Sequence, residues 1–304
     1  MFRISETILE DYQVRKTKKQ KTRYIDYICN NFPEARVEQG GFIKNRNIII
    51  GDVSTAKVIF SAHYDTCARL PFPNLIMPRN IIVTILYSLL ITVPFLFVLV
   101  LSNVLIGMFT DNFLIMYYGS LLVFFALFIG VFFLGPPNKH TANDNTSGVV
   151  ALYEMMCSMT AQDREKCAFV FFDNEENGLL GSSYFRKIHK KEITDKLLVN
   201  LDCVGDGDHI LIVENKPARE SYGETLRASF GEEERKTLHF EKSSTTLYPS
   251  DQAGFPQSVA LAALKRNRLF GLYMNRIHTN RDTVCDKSNI EYIRQSLLNF
   301  VRNA

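Results

Sequence analysis

The chain has 304 residues, 46% of them hydrophobic, and a formal net charge of +3. That length holds one large domain or two small ones with ample core. The near-balanced charge, with no arginine–aromatic interleaving, argues against a nucleic-acid binder.

The N-terminal stretch "MFRISETILEDYQVRKTKKQ" lacks the apolar core of a cleavable signal peptide. Residues 5–33 carry a helical pattern. The basic run "RKTKKQKTR" within it is expected to be a solvated helix face, with contact to anionic lipid as the second reading. Two β-rich runs follow, "NIII" (47–50) and "KVIFSAH" (57–63).

From Asn80 to Gly135 the only charged residue is Asp111. Two runs, 81–101 and 113–135, are each long enough as helices to cross a hydrocarbon layer of roughly 30 Å. Neither shows the polar face of a water-soluble helix, and Pro94 is expected to kink the first. Arg79 and Lys139 flank the pair, while the connecting loop "SNVLIGMFTDN" has no Lys or Arg. The excess of basic residues outside the loop places both ends in the cytoplasm. This predicts an integral membrane protein, at the cell membrane if the source is bacterial.

Residues 1–79 and 136–304 are therefore expected to form one cytoplasmic domain, interrupted by a transmembrane hairpin over 80–135 that contacts the bilayer. The six cysteines (29, 67, 157, 167, 203 and 285) are scattered, without metal-finger spacing, and read as reduced thiols.

Strands are predicted at 168–173, 197–202, 209–213, 257–264 and 269–274, with helices near 147–160, 176–190, 217–230 and 288–302. Apolar strands alternating with helices imply an α/β fold, with a mixed, mostly parallel sheet flanked by helices on both faces.

Several of these elements stop on an acid or a histidine. "VIFSAHYDT" ends in His63 and Asp65, "FVFFDNEENGLLGS" reaches Glu175 and Glu176, "LLVNLDCVGDGD" reaches Asp202, and "LYMNRIHTNRDT" reaches His278. Asp144 lies in "HTANDNTSGVV". Sites in open α/β sheets gather at the carboxyl ends of strands, so these groups are expected to converge. Histidines and carboxylates without thiolate suit zinc, manganese or cobalt. Five ligands are too many for one catalytic zinc, but they suit two ions roughly 3.5–4 Å apart that share a bridging carboxylate. Asp144, in a tight turn between asparagines, is the candidate bridge. His63 and Asp65, two apart on a strand, share a face, so Asp65 is expected to hold the ring nitrogen turned away from metal. Glu175 and Glu176 cannot both point the same way, and are expected to split roles between water and metal.

Together "SAHYDT", "NDNTSGV", "DNEENGLLGS", "NLDCVGDGD" and "IHTNRDT", in that order, resemble the co-catalytic two-zinc aminopeptidases, relatives of bacterial leucyl aminopeptidase, glutamate carboxypeptidase and glutaminyl cyclase. The resemblance covers about residues 55–66 and 136–285. It implies that His63 and Asp202 bind one ion, Glu176 and His278 the other, and that Asp144 bridges. It implies Glu175 as general base, Asp65 as the group orienting His63, and a cis peptide after Asp144. The implied reaction is removal of N-terminal residues from short peptides.

Where many relatives carry Ser-Asp-His, this chain has "SDQAGF" with Gln252. Tyr248, Asp251 and Phe255 are candidate substrate contacts. His140, His189, His209 and His239 are expected to be ordinary, Asp206 and Asp208 to shape a turn, and Asp282 to orient His278 or cap a turn. Another exopeptidase or a glutaminyl-cyclase-like aminoacyl cyclotransferase is the alternative enzyme, and an inactive membrane scaffold the non-enzymatic one. Both hairpin junctions fall close in sequence to the metal motifs. The active-site mouth is thus expected near the bilayer, favouring apolar or membrane-associated peptides; the plainer reading is an anchor alone. The sequence fixes no oligomeric state.

Overall fold

A computed structural model describes residues 1–303. Its centre is a nine-stranded sheet: β1 (Arg36–Gly40), β2 (Asn45–Ile50), β3 (Val58–His63), β4 (Cys167–Phe172), β5 (Leu197–Leu201), β6 (His209–Glu214), β7 (Thr237–Lys242), β8 (Gln257–Asn267) and β9 (Gly271–Tyr273). The order is β1-β2-β4-β3-β5-β8-β6-β7, with β9 on β8. β4, β3, β5 and β8 run parallel in the middle. β1 and β2 add antiparallel on one side, and β6 joins β8 antiparallel on the other. The sheet is mixed, with a parallel centre, as expected.

Both faces of the central strands are apolar, because helices and loops cover both. Along β4, Cys167, Phe169 and Phe171 enter one core, while Ala168, Val170 and Phe172 enter another. β8 divides likewise: Val259, Leu261 and Ala263 face one side, and Ala260, Ala262 and Leu264 the other. This is the period-two alternation of a strand buried twice.

The first face carries α1 (Arg3–Asp11), α2 (Lys18–Asn31), α5 (Gly148–Ser158), α8 (Lys216–Ser229) and α9 (Lys287–Asn303). α5 is buried all round from Gly148 to Met156, in a run that is apolar apart from Tyr153 and the buried Glu154, which accepts the Phe2 N–H at 2.7 Å. α7 (Leu180–Ile188) packs on the other face through Phe185, and the single-turn α6 (Ala161–Glu165) leads into β4.

The single helix expected over 5–33 is two. Thr17 and Gln20 form a reciprocal capping box that starts α2 afresh. The linker before it carries Arg15, fully buried, which donates to the carbonyls of Tyr64 and Tyr12 and to the Thr146 hydroxyl. Lys21 is buried too, 2.5 Å from Asp173 and 2.7 Å from Asn174. The basic run is therefore not simply a solvated face: two of its cations reach inward to buried oxygen acceptors. β1 and β7 were not expected from the sequence; both lie at sheet edges and are half exposed, so their apolar signal is weak. The run expected as a strand over 269–274 splits between a turn and β9, while β8 extends to Asn267.

α3 (Ile81–Gly107) and α4 (Phe113–Phe132) stand apart as an apolar pair. Both are long and apolar enough to cross a membrane, and only 6% of the most apolar window of each is buried. They pack on one another through Phe95, whose ring meets Phe124, Phe128 and Phe132 at centroid distances of 6.4, 5.9 and 5.8 Å. Strands from before the pair (β2, β3) are hydrogen-bonded to strands from after it (β4, β5), so the two flanking segments share one sheet.

His189, expected to be ordinary, ties the sheet edge to the end of α7. Its ring lies 2.7 Å from both Glu38 on β1 and Glu192. The bond to Glu38, assisted by Glu192, raises its pKa despite partial burial. A group raised on folding stabilises fully below its unfolded value of about 6.5, and the benefit fades as pH climbs through the folded value. The Tm gap between wild type and His189→Gln should therefore be larger at pH 6 than at pH 9 in thermal melts; an equal gap would remove this ion pair from the account.

Candidate active site

The parallel strands β3, β4 and β5 end at the same edge of the sheet, and the expected ligands leave from there. His63 is the last residue of β3, Asp202 follows β5, and Glu175 and Glu176 follow β4 by three and four residues. His278 arrives on the loop after β9, and Asp144 precedes α5. The six side chains meet around one cavity of about 360 Å³.

Asp144 is the centre. Its Oδ1 lies 3.4 Å from His63 Nε2, and its Oδ2 lies 2.9 Å from His278 Nε2. The same nitrogen of His63 is 3.6 Å from Asp202 Oδ1, and that of His278 is 3.2 Å from Glu176 Oε2. Two nitrogen/oxygen clusters thus share one carboxylate, one oxygen each.

The turn that presents Asp144 is held on several sides. Asp282 accepts the N–H groups of Asn143 (2.8 Å) and Asp144 (3.0 Å). Asn145 donates to the Leu201 carbonyl (2.9 Å) and accepts from Gly148 and Cys203. Asn143 Oδ1 accepts from Gly205 N at 2.7 Å, and Ser147 Oγ accepts from Val204 N at 2.9 Å. These bonds fix Asp144 against the exit of β5 and hence against Asp202. Gly148 permits this approach, since a Cβ there would meet the Leu201 carbonyl at 2.4 Å. The peptide Asp144–Asn145 is cis. Of the two roles expected for Asp282, the structure has it capping the turn under Asp144.

Asp65 holds the opposite wall. Its carboxylate accepts the N–H groups of Glu175 (2.9 Å) and Glu176 (3.3 Å). His63 Nδ1 lies 3.1 Å from the Asp65 carbonyl and 3.6 Å from its carboxylate. The ring is thus oriented chiefly by the backbone of Asp65, while the carboxylate positions the two glutamates. Behind them, the Lys21–Asp173 pair pins the residue preceding this loop. Asn174, Cys203 and His278 adopt left-handed φ of 56°, 57° and 59°. Such residues cost about 1–3 kcal/mol each and persist where the surroundings over-determine them.

The charges call for cations. Asp65, Asp144, Asp202, Asp251 and Asp282 are all buried here, against two buried cations, Arg15 and Lys21. Glu176 Oε1 and Asp202 Oδ1 are buried without a hydrogen-bond partner among the described residues. Burying such acids unpaired is costly, and the donor set is that of a divalent metal such as zinc. The residues fit a metal pair. Burial drives Glu175 well above the usual carboxylate range; Glu176, Asp251 and Asp202 add to this and His63 opposes it. Burial alone would lower His278, but facing Glu176 and Asp144 raises it instead.

Sequence reasoning missed Cys67, whose sulfur lies within 4.8 Å of ligand atoms of Asp144, Glu176 and His278. Its place, two residues after Asp65, was the available signal. Tyr248 lines the cavity and donates to the Asp202 carbonyl at 3.0 Å. The other two expected substrate contacts do not line it. Phe255 sits in the core beside Phe172 and Phe185, and Asp251 is fully buried, with a pKa pushed up to about 7 by burial. Gln252 is also turned inward, bonded to the Tyr248 carbonyl and Asn200. His140 is exposed and outside the donor clusters, and His209 pairs with His239. Asp206, expected to shape a turn, instead forms ion pairs with Lys265 (2.7 Å) and Arg276 (3.5 Å).

Part of the remaining wall comes from the apolar pair, beside loop residues such as Met77, Leu247 and Ile277. Thr84, Tyr87, Ser88 and Ile91 of α3 line the cavity. Phe132 and Phe133, at the end of α4, flank Glu176 and His278 on the other side.

Comparison with known proteins places these features in context. The profile of Peptidase family M28 matches residues 128–301, more than half of the chain. No curated protein matches. Among solved structures, the LapA aminopeptidase of Legionella pneumophila superposes with a TM-score of 0.57 at 12% identity, over 99% of this chain and 68% of its own. LapB of the same organism gives 0.55 at 14% identity, over 98% and 69%. The TET1 peptidase of Pyrococcus horikoshii gives 0.50 at 12% identity, over 97% and 98%. At these identities the likeness concerns the fold.

Proposed function

This chain belongs to peptidase family M28, and from that premise we propose that it is a membrane-anchored, two-metal aminopeptidase acting on short peptides. The observation that carries the reading is Asp144, one oxygen toward His63 and Asp202 and the other toward His278 and Glu176. The aminopeptidase LapA, similar in fold, favours the same activity.

In this reading His63, Asp202 and Asp144 hold one ion, and Asp144, Glu176 and His278 the other, with zinc the first choice and manganese or cobalt possible by chemistry. When bound, the pair supplies Lewis acidity that makes a water nucleophilic near neutral pH and offsets charge developing on the carbonyl oxygen. Glu175 takes the proton from the attacking water and returns it to the leaving amine. Its burial raises its proton affinity, which suits that exchange. Asp65 keeps Glu175 and Glu176 in register through their N–H groups. The α3–α4 pair anchors the enzyme, with both ends on the cytoplasmic side, and residues 1–79 and 136–304 make one catalytic domain.

The test is one preparation. Activity should stay with alkaline-washed membranes and require detergent for release. It should vanish on exhaustive chelation, return with zinc, manganese or cobalt, and be confined to peptides with a free N-terminus. Undiminished cleavage by metal-free protein, or equal cleavage of N-acetylated peptides, would overturn the assignment.

A further inference from the structure

α3 exceeds α4 by seven residues, 27 against 20. At 1.5 Å per residue, α4 is about 30 Å long, a match to the hydrocarbon layer, and α3 is about 10 Å longer. The excess falls at the start of α3, where Thr84, Tyr87 and Ser88 line the cavity. The catalytic cavity thus opens beside the first three turns of α3.

A second cavity continues from there. A groove of about 500 Å³ runs between α3, α4 and the loop Pro71–Pro73, past Leu90, Pro94 and Val98 on one side and Leu127 and Val131 on the other. It shares Tyr87 and Ile91 with the catalytic cavity. The Tyr87 hydroxyl donates to the Pro73 carbonyl and so ties the roofing loop to α3. From Tyr87 to Val98 the groove follows α3 for about 16 Å, the length of about five residues of extended peptide. Apart from Tyr87, every lining side chain is apolar. Pro94 has no N–H, so the Leu90 carbonyl, on the same stripe, lacks its usual helical donor. A peptide N–H can meet that carbonyl; a lipid tail cannot.

We propose that this groove is the subsite for the residues following the scissile bond, and that the preferred substrate is a peptide whose free N-terminus enters the metal site while an apolar segment of about five residues lies between α3 and α4, reached from the bilayer. The proposal rests on the aminopeptidase reading and names its substrate class. It also accounts for a hairpin inserted at the site: α3 is both anchor and binding wall.

The experiment compares two soluble-tailed peptides of equal length, Ala-Leu₅-Lys₂ and Ala-Ser₅-Lys₂, with the full-length enzyme in one detergent. The ratio of kcat/KM, apolar over polar, should be about tenfold or more in wild type, which one well-buried leucine suffices to supply. Val98→Trp and, on the facing wall, Leu127→Trp fill the groove and should each bring the ratio close to one. Partition into micelles is common to wild type and variants, so the change between them reports the groove. A wild-type ratio near one, as for a groove filled by lipid or detergent alone, overturns the proposal, as does a high ratio that both variants retain. In either case turnover of the serine peptide leaves the aminopeptidase reading standing. Failure to cleave either peptide sinks both.

Discussion

Glu175→Gln should fold, keep its metal content and lose activity by about 10³-fold, the scale of a missing general base. The substitution is nearly isosteric. The loop bonds that place it, from the N–H groups of Glu175 and Glu176 to Asp65, are made by backbone and survive. The four side-chain contacts that link the two donor clusters involve His63, Asp144, Glu176, Asp202 and His278, not Glu175. What the variant lacks is a group able to accept a proton. Circular dichroism, metal analysis and kcat on the same sample read the three expectations separately. Turnover within tenfold of wild type, in a metal-replete sample, would remove Glu175 from its role.

The convergence of these side chains was legible because chemistry and topology coincide at strand ends. Apolar runs such as "VIFSAH" and "LLVNLD" announce buried parallel strands, and histidine or acids at the carboxyl ends of several of them point to a site at that edge of the sheet. The helical pair was legible for a related reason: an apolar run without a polar face has few solvents to choose from. What stayed hidden depends on partners far away in the chain. Lys21 looks like one lysine among several, and only Asp173, 152 residues on, makes it a buried cation. Arg15 is hidden for the same reason, its acceptors coming from three separate segments. Phe255 was expected in the pocket by motif position, yet Phe172 and Phe185 offer it a core. The carboxylate of Asp65 was expected behind His63, and no rule of strand spacing reveals that two amides beyond β4 would claim it.

The separate ends of the hairpin extend this point. Sequence proximity suggested that both junctions lie near the site. The structure adds which residues do so: the first turns of α3 on one side of the donor clusters, and Phe132 and Phe133 on the other. The start of α3 is thus part of the cavity wall as well as of the apolar pair.

Asp144→Asn is the second large effect. The fold should survive, because the Asp144 N–H still reaches Asp282 and the turn is held by Asn143, Asn145 and Ser147. The variant replaces one of two oxygens with an N–H₂ donor and removes the charge. Whichever cluster then faces the amide nitrogen loses a ligand outright, and the other keeps only a neutral oxygen. Loss of a mere supporting partner already weakens metal binding by about 10–100-fold, so loss of the shared ligand should cost more. Elemental analysis should find two ions per wild-type chain and at most one per variant chain, with activity falling at least as far as in Glu175→Gln. The two variants separate roles that activity alone would merge: one is metal-replete and inactive, the other metal-poor and inactive. If Asp144→Asn kept both ions, the clusters would be independent sites, and a water shared between them would have no basis.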